Sequence, residues 1–423
     1  MELKKKVLNN GIRVVVVPQK DNPAVTVLVL VETGSKYETK DISGISHFLE
    51  HMCFKGTKNR PTPLDISGEL DRLGSSYNAF TGHEYTGYYA KVDKGHFEKA
   101  LDIVSDIYLN QIFDEEEIER EKGVIIEEIN MYEDIPQRKV VDDLTSLLYG
   151  DQPAGWNIGG DKDVIKKITK DDFLAYKKDH YVPNATTVVV AGSVDPEDAL
   201  EKIEKIFSSM EEGDKKDKLP VKEEQSKPEM HMQKKDSEQT HLILAVRAYD
   251  TFHKDRFVVR LIGDILGGGM SSRLWAKVRG ELGAAYYVGA DSDEFTDTGV
   301  LSARAGVEHS KLEVVISAIL AEFKRLKEEL VSEEELQKTK DHMIGSMMLG
   351  LETSNSVAMY YGFQELIKKE MKDPNEVADM LRAITQKDIQ RVAKDIFKNE
   401  KLNLALIGPV EEMGMLETLL KID

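Results

Sequence analysis

Ile168-Thr169-Lys170-Asp171-Asp172 and Ile384-Thr385-Gln386-Lys387-Asp388 are close copies of one another, 216 positions apart. At the same shift the apolar run Val188-Val189-Val190-Ala191-Gly192 meets Leu404-Ala405-Leu406-Ile407-Gly408. The acidic start Glu115-Glu116-Glu117-Ile118 returns as Glu333-Glu334-Glu335-Leu336, 218 positions on, and Leu73-Gly74 as Leu282-Gly283, 209 positions on. An offset that drifts by so few residues over such a distance marks an internal duplication. The chain is therefore expected to hold two homologous domains, residues 1–210 and 239–423. Between them, 211–238 is rich in Lys, Glu, Asp and Ser and reads as a solvated linker. A length of 423 residues suits two domains of about 200 each.

Within the first half, β-branched runs predict strands over 12–17 and 24–32, with further strands near 77–81 and 86–92. A helix is expected over 42–54, with Asp41 as N-cap and Gly56 as its stop. Two more helices follow over about 95–110 and 114–134. The second opens with Asp114 and Glu117 at capping-box spacing. Strands cluster and helices follow, so the class is α+β.

Apolar residues make up 41% and charged residues 31% of the chain, the balance of a globular protein. No apolar run approaches the roughly 20 residues that span a bilayer. The basic start is broken by Asn9-Asn10-Gly11 before a short strand, with no secretory signal, so a cytoplasmic location is expected. A formal charge of −19 argues against nucleic acid and, where it lines a site, favours basic substrates. The single cysteine, Cys53, excludes an internal disulfide and a Cys-based zinc site, and is read as filling a small apolar slot.

The chemistry lies in His47-Phe48-Leu49-Glu50-His51. Residues four apart share a helical face, so both imidazoles can reach one ion. Zinc suits neutral imidazole, and a catalytic zinc takes three protein ligands and a water. Glu50, on the same side and next to the metal, can take the proton of a zinc-acidified water. The order is the inverse of the His-Glu-x-x-His arrangement. For the third ligand the helix containing Glu121-Lys122-Gly123-Val124-Ile125-Ile126-Glu127-Glu128 offers Glu121 and Glu128, two turns apart on one face. Glu128, flanked by apolar residues, is assigned as the ligand. Glu121 is placed behind it, orienting a histidine by accepting its remaining ring N–H, and Glu127 points to solvent.

These residues resemble the pitrilysin, insulin-degrading enzyme and mitochondrial processing peptidase family, whose signature is His-x-x-Glu-His followed by a glutamate about 76 residues on. Here 76 residues separate His51 from Glu128. The flanks His51-Met52-Cys53-Phe54-Lys55-Gly56-Thr57 and Asn78-Ala79-Phe80-Thr81 are similar as well, and the likeness covers essentially the whole chain. It implies two tandem α/β-roll domains of the short branch, one zinc ion per chain, and a chamber closed by a homodimer. It further implies that Arg279 and Tyr286, in Arg279-Gly280-Glu281-Leu282-Gly283-Ala284-Ala285-Tyr286, stabilise the oxyanion. The strand around Asn78, Ala79 and Phe80 would pair with extended peptide. Gly267-Gly268-Gly269-Met270-Ser271-Ser272 is similar to the family's glycine-rich loop in shortened form. Without Gly-Lys-Ser/Thr it is not read as a phosphate loop.

The expected activity is zinc-dependent hydrolysis of unfolded peptides or processing segments. The alternative is a catalytically silent or partner-dependent subunit of the same fold, against which the intact residue set speaks. A lyase of the S-ribosylhomocysteine type carries a similar pentad, but on a short single domain.

Overall fold

The computed structural model describes residues 3–410 and 414–422. They form two compact units, each an α+β arrangement around its own sheet. The first unit runs to Ile129 and adds Trp156–Leu219 and Met348–Asp373. The second takes Asn130–Gly155, Pro220–Met347 and the chain from Pro374 on.

The first sheet comprises β1 (Lys4–Val7), β2 (Arg13–Pro18), β3 (Ala24–Val31), β4 (Ser76–Thr81), β5 (Thr86–Asp93) and β6 (Thr186–Gly192), in the order β1-β2-β6-β3-β5-β4. The second comprises β7 (Glu229–Lys234), β8 (Thr240–Ala248), β9 (Ala285–Glu294), β10 (Gly299–Val307) and β11 (Leu402–Gly408), in the order β7-β11-β8-β10-β9. Apart from β1 the two orders correspond strand for strand. β6 lies parallel to β2 and antiparallel to β3, as β11 lies parallel to β7 and antiparallel to β8. The duplicated pentapeptides do the same local work twice. Thr169 with Asp172, and Thr385 with Asp388, each close a reciprocal capping box at a helix start. Gly74 and Gly283 both sit at positive φ, 59° and 54°.

The valine runs explain why the units are discontinuous. Val14 and Val16 pack on one face of the first sheet with Phe48, Val104 and Ile125, while Val15 and Val17 point to the other. Strands without a polar face need cover on both sides. The second face is covered by the helix Ser354–Phe363, through Val357, Ala358 and Tyr361. In the second unit Ile243, Ala245, Ala405 and Ile407 are covered by Val140, Leu144 and Leu148 of the helix Pro136–Tyr149. Each half of the chain thus lends the other a helix, an exchange absent from the expected succession of halves.

Two local expectations are corrected. The helix expected over 42–54 is α1, Ile45–Met52; Asp41 lies in a preceding 3-10 turn, Lys40–Ile42, and the N-cap is Gly44 at φ 95°. That left-handed residue separates turn from helix. The expected linker is structured at its end, because Met230 and Met232 alternate with polar residues and pack on the second core as β7. The other helices that matter for the site, α2 (Phe97–Leu109) and α3 (Glu115–Asp134), lie within the expected ranges. Asp114 accepts from the N–H groups of Glu116 and Glu117 at 3.0 and 3.1 Å.

A candidate metal centre

α1 is anchored in the core by Phe48, Leu49 and Met52. With that side fixed, His47, Glu50 and His51 turn the other way. α3 buries Ile118, Ile125 and Ile129, which leaves Glu121 and Glu128 on a neighbouring stripe. The two helices bring three donor atoms together. His51 Nε2 lies 3.2 Å from His47 Nε2, and one Glu128 carboxylate oxygen lies 3.5 Å from His51 Nε2 and 3.7 Å from His47 Nε2. Among the described residues this is the one group of three or more His, Cys, Asp or Glu ligand atoms that could hold a metal ion.

The surroundings treat the two histidines differently. Burial, and then the neighbouring His51, push His47 down to about 3, so its imidazole stays neutral and keeps a lone pair. Burial also opposes the charged form of His51, but the bond to Glu121 and the nearby Glu50, Glu121 and Glu128 carboxylates outweigh it and raise its pKa. His51 Nδ1 lies 2.8 Å from Glu121 Oε1 and donates to it, which directs the Nε2 lone pair toward Glu128 and His47. Lys55 holds the other Glu121 oxygen at 2.6 Å. Burial of Glu121 is outweighed by these two bonds, and its pKa falls. Two imidazole nitrogens and one carboxylate oxygen, with an oriented histidine behind them, are a donor set that fits a catalytic zinc ion. Replacing Glu121 by Gln is expected to weaken zinc binding about 10- to 100-fold, measured against a chromophoric chelator.

Glu50 stands beside the three ligands. Thr81, at the end of β4, donates to its Oε2 at 2.6 Å. Burial raises the Glu50 carboxyl pKa against the lowering effect of that bond. β4 is an edge strand of its sheet. On it Asn78 is exposed and Ala79 buried, whereas the Phe80 ring packs against Tyr85 and Phe363, which leaves Phe80 only its backbone for pairing.

Arg279 and Tyr286 belong to the second unit. The Arg279 guanidinium stacks over Trp275 at 4.6 Å and donates to the Tyr286 carbonyl, while Tyr286 is 74% exposed. The glycine-rich loop follows the helix Arg256–Gly267. A Cβ on Gly267 would meet the Ala290 nitrogen at 2.0 Å, so the bare backbone lets the helix end pass β9. Cys53 is buried, its thiol pushed up to about 11 by burial, and it stands outside the ligand cluster.

Sequence reasoning missed Thr81 and Lys55 as partners of the site. Both carried a signal. Thr81 is two residues beyond the inward Ala79 in a period-2 strand, and Lys55 is four residues beyond His51, just past the end of α1.

Known proteins match this chain over nearly its whole length. Residues 13–162 match the family Insulinase (Peptidase family M16), and residues 167–343 match the Peptidase M16 inactive domain. A Bacillus subtilis protein described as an uncharacterized zinc protease is 35% identical over 97% of this chain and 99% of its own length. A Rickettsia felis protein with a like description is 35% identical over 96% of this chain and 98% of its own. The crystal structure of a protease from Helicobacter pylori superposes with a TM-score of 0.90 at 26% identity, covering 96% of this chain and 99% of that one. A donor set of two histidines and a glutamate on a duplicated α+β frame, and relatives matched over nearly their whole length, place this chain in peptidase family M16.

Proposed function

We propose that the chain is a zinc-dependent endopeptidase acting on unfolded peptides or processing segments. The observation that carries the reading is the convergence of His47, His51 and Glu128 with the Glu50 carboxylate beside them. That its relatives are described as zinc proteases supports the same metal. When bound, zinc supplies a Lewis acid that acidifies water and polarises a carbonyl.

The remaining work falls to the chain's own groups. Glu50 takes the proton of the attacking water and returns it to the leaving amine. Its pKa, raised by burial, eases the second step. Thr81 fixes the carboxylate that does this. Glu121 keeps His51 in the tautomer that binds metal. Arg279 and Tyr286 are assigned as donors to the oxyanion. The free edge of β4 at Asn78 and Ala79 would pair with an extended peptide by backbone hydrogen bonds, with little regard for its sequence. One zinc ion per chain, a cytoplasmic location and a homodimer belong to the same proposal. No helix among the described residues is long and apolar enough to cross a membrane.

The test is cleavage of an unstructured, moderately basic peptide by the purified full-length chain. Chelation is expected to abolish cleavage, and added zinc to restore it. Absence of cleavage by the zinc-loaded protein across several peptides would favour a subunit that is silent or needs a partner chain.

A further inference from the structure

The geometry points to Glu38 as a positioning residue that fixes the metal-binding histidines by capping the helix that carries them. The inference rests on reading His47, His51 and Glu128 as the metal site.

α1 has only eight residues, too few for a helix to hold itself in water. Its N-cap, Gly44, has no side chain with which to take up the free N–H groups of the first turn. Glu38 does this from six residues upstream. Its Oε2 accepts the Gly44 N–H at 2.7 Å and its Oε1 accepts the Ser46 N–H at 2.9 Å. The carboxylate thus grips both sides of the helix start and places negative charge at its positive end. His47 is the residue after Ser46, and His51 follows one turn later. A slip of the helix start would move both imidazoles relative to Glu128, which is held on a different helix.

Two further features mark the arrangement as built. Glu38 is only 3% exposed, and burial pushes its carboxyl up to about 7 against the lowering effect of the bonds from Gly44 and Ser46. A buried carboxyl met chiefly by backbone N–H groups is costly unless the geometry it enforces matters. The same serine is tied down a second time, its hydroxyl 2.7 Å from Tyr176 Oη, which in turn lies 2.8 Å from Thr33 Oγ1. All three residues are buried. The start of α1 is therefore fixed through both backbone and side chain, whereas no group of Glu38 itself is a ligand in the cluster.

The experiment measures zinc dissociation constants of the full-length chain, by competition with a chromophoric chelator, for wild type, Glu38→Gln and Glu365→Gln. Gln at 38 keeps one acceptor and turns an NH₂ group toward a backbone donor. Glu365 is buried under the opposite face of the same sheet, so its replacement lowers the melting temperature without touching α1. Glu38→Gln is expected to weaken zinc binding about tenfold, the low end of what losing a ligand-orienting partner costs. Glu365→Gln is expected to leave the affinity unchanged while lowering stability. Should Glu38→Gln not fold, Glu38→Asp keeps the charge, loses the reach and carries the same expectation. Equal affinity in wild type and the Glu38 variants would overturn this inference alone. Equal weakening by Glu365→Gln would overturn it too, since general loss of stability would then suffice. A wild type that binds no zinc would overturn the metal reading and this inference with it.

Discussion

Glu50→Gln is expected to lower the rate of peptide cleavage by about 10³- to 10⁴-fold while the protein still binds zinc. The substitution is close to isosteric, and the amide oxygen can still accept from Thr81, which now donates to Glu50 at 2.6 Å. The three ligand atoms come from His47, His51 and Glu128 and are untouched. What is lost is a group that can take a proton and give it back. The magnitude sits at the upper end for general acid–base catalysis because one carboxylate serves both transfers. Parallel assays of cleavage and zinc content decide the matter. Cleavage within a factor of ten of wild type would remove Glu50 from the chemistry, and loss of zinc together with activity would recast it as a ligand.

The largest expected effect on stability is at Glu365. Its side chain is fully buried, 2.8 Å from Lys5 Nζ and 3.6 Å from Arg13 Nε. Arg13 is itself buried, which lowers its pKa against the pull of Glu32 and Glu365. Removing one partner of a buried charge cluster leaves the others poorly compensated, at a cost of about 3–5 kcal/mol. Arg13 keeps bonds to the Asn184 carbonyl at 2.8 Å and to Thr187 at 3.2 Å, so the low end, about 3 kcal/mol, is expected for Glu365→Ala. For a unit of about 200 residues that corresponds to a fall in Tm of roughly 6–12 °C. A thermal melt showing a shift below about 2 °C would mean that the cluster adds little to stability.

The grouping of His47, His51 and Glu128 was legible in the sequence for a physical reason. His47 and His51, and Glu121 and Glu128, are related by helical periodicity, which short windows of sequence preserve. The duplication was legible because a capping box and an apolar strand are local patterns, and Thr169 and Thr385 announce theirs in four residues. The helix exchange was not legible. It depends on what covers Val15 and Val17, and the answer lies more than three hundred residues away at Val357 and Tyr361. β7 was hidden because two methionines among charged residues make a weak alternation, resolved only by pairing with β11. The start of α1 was misplaced at Asp41 because its cap comes from Glu38, beyond the reach of nearest-neighbour capping rules.

The loan of Ser354–Phe363 to the first sheet also sets the order of events during synthesis. When Gly192 has left the ribosome, all six strands of that sheet exist, yet the covering segment up to Asp373 has still to be made. At roughly 5–20 residues per second that interval is on the order of 10–40 s. For its duration Val15, Val17, Leu28, Leu30 and Val189 form an uncovered apolar face on a nascent chain. The first domain is thus begun early but cannot finish folding until the chain has been made to Asp373. A ribosome stalled far enough past Gly192 for all six strands to have emerged should display a chain that recruits chaperones and yields readily to protease.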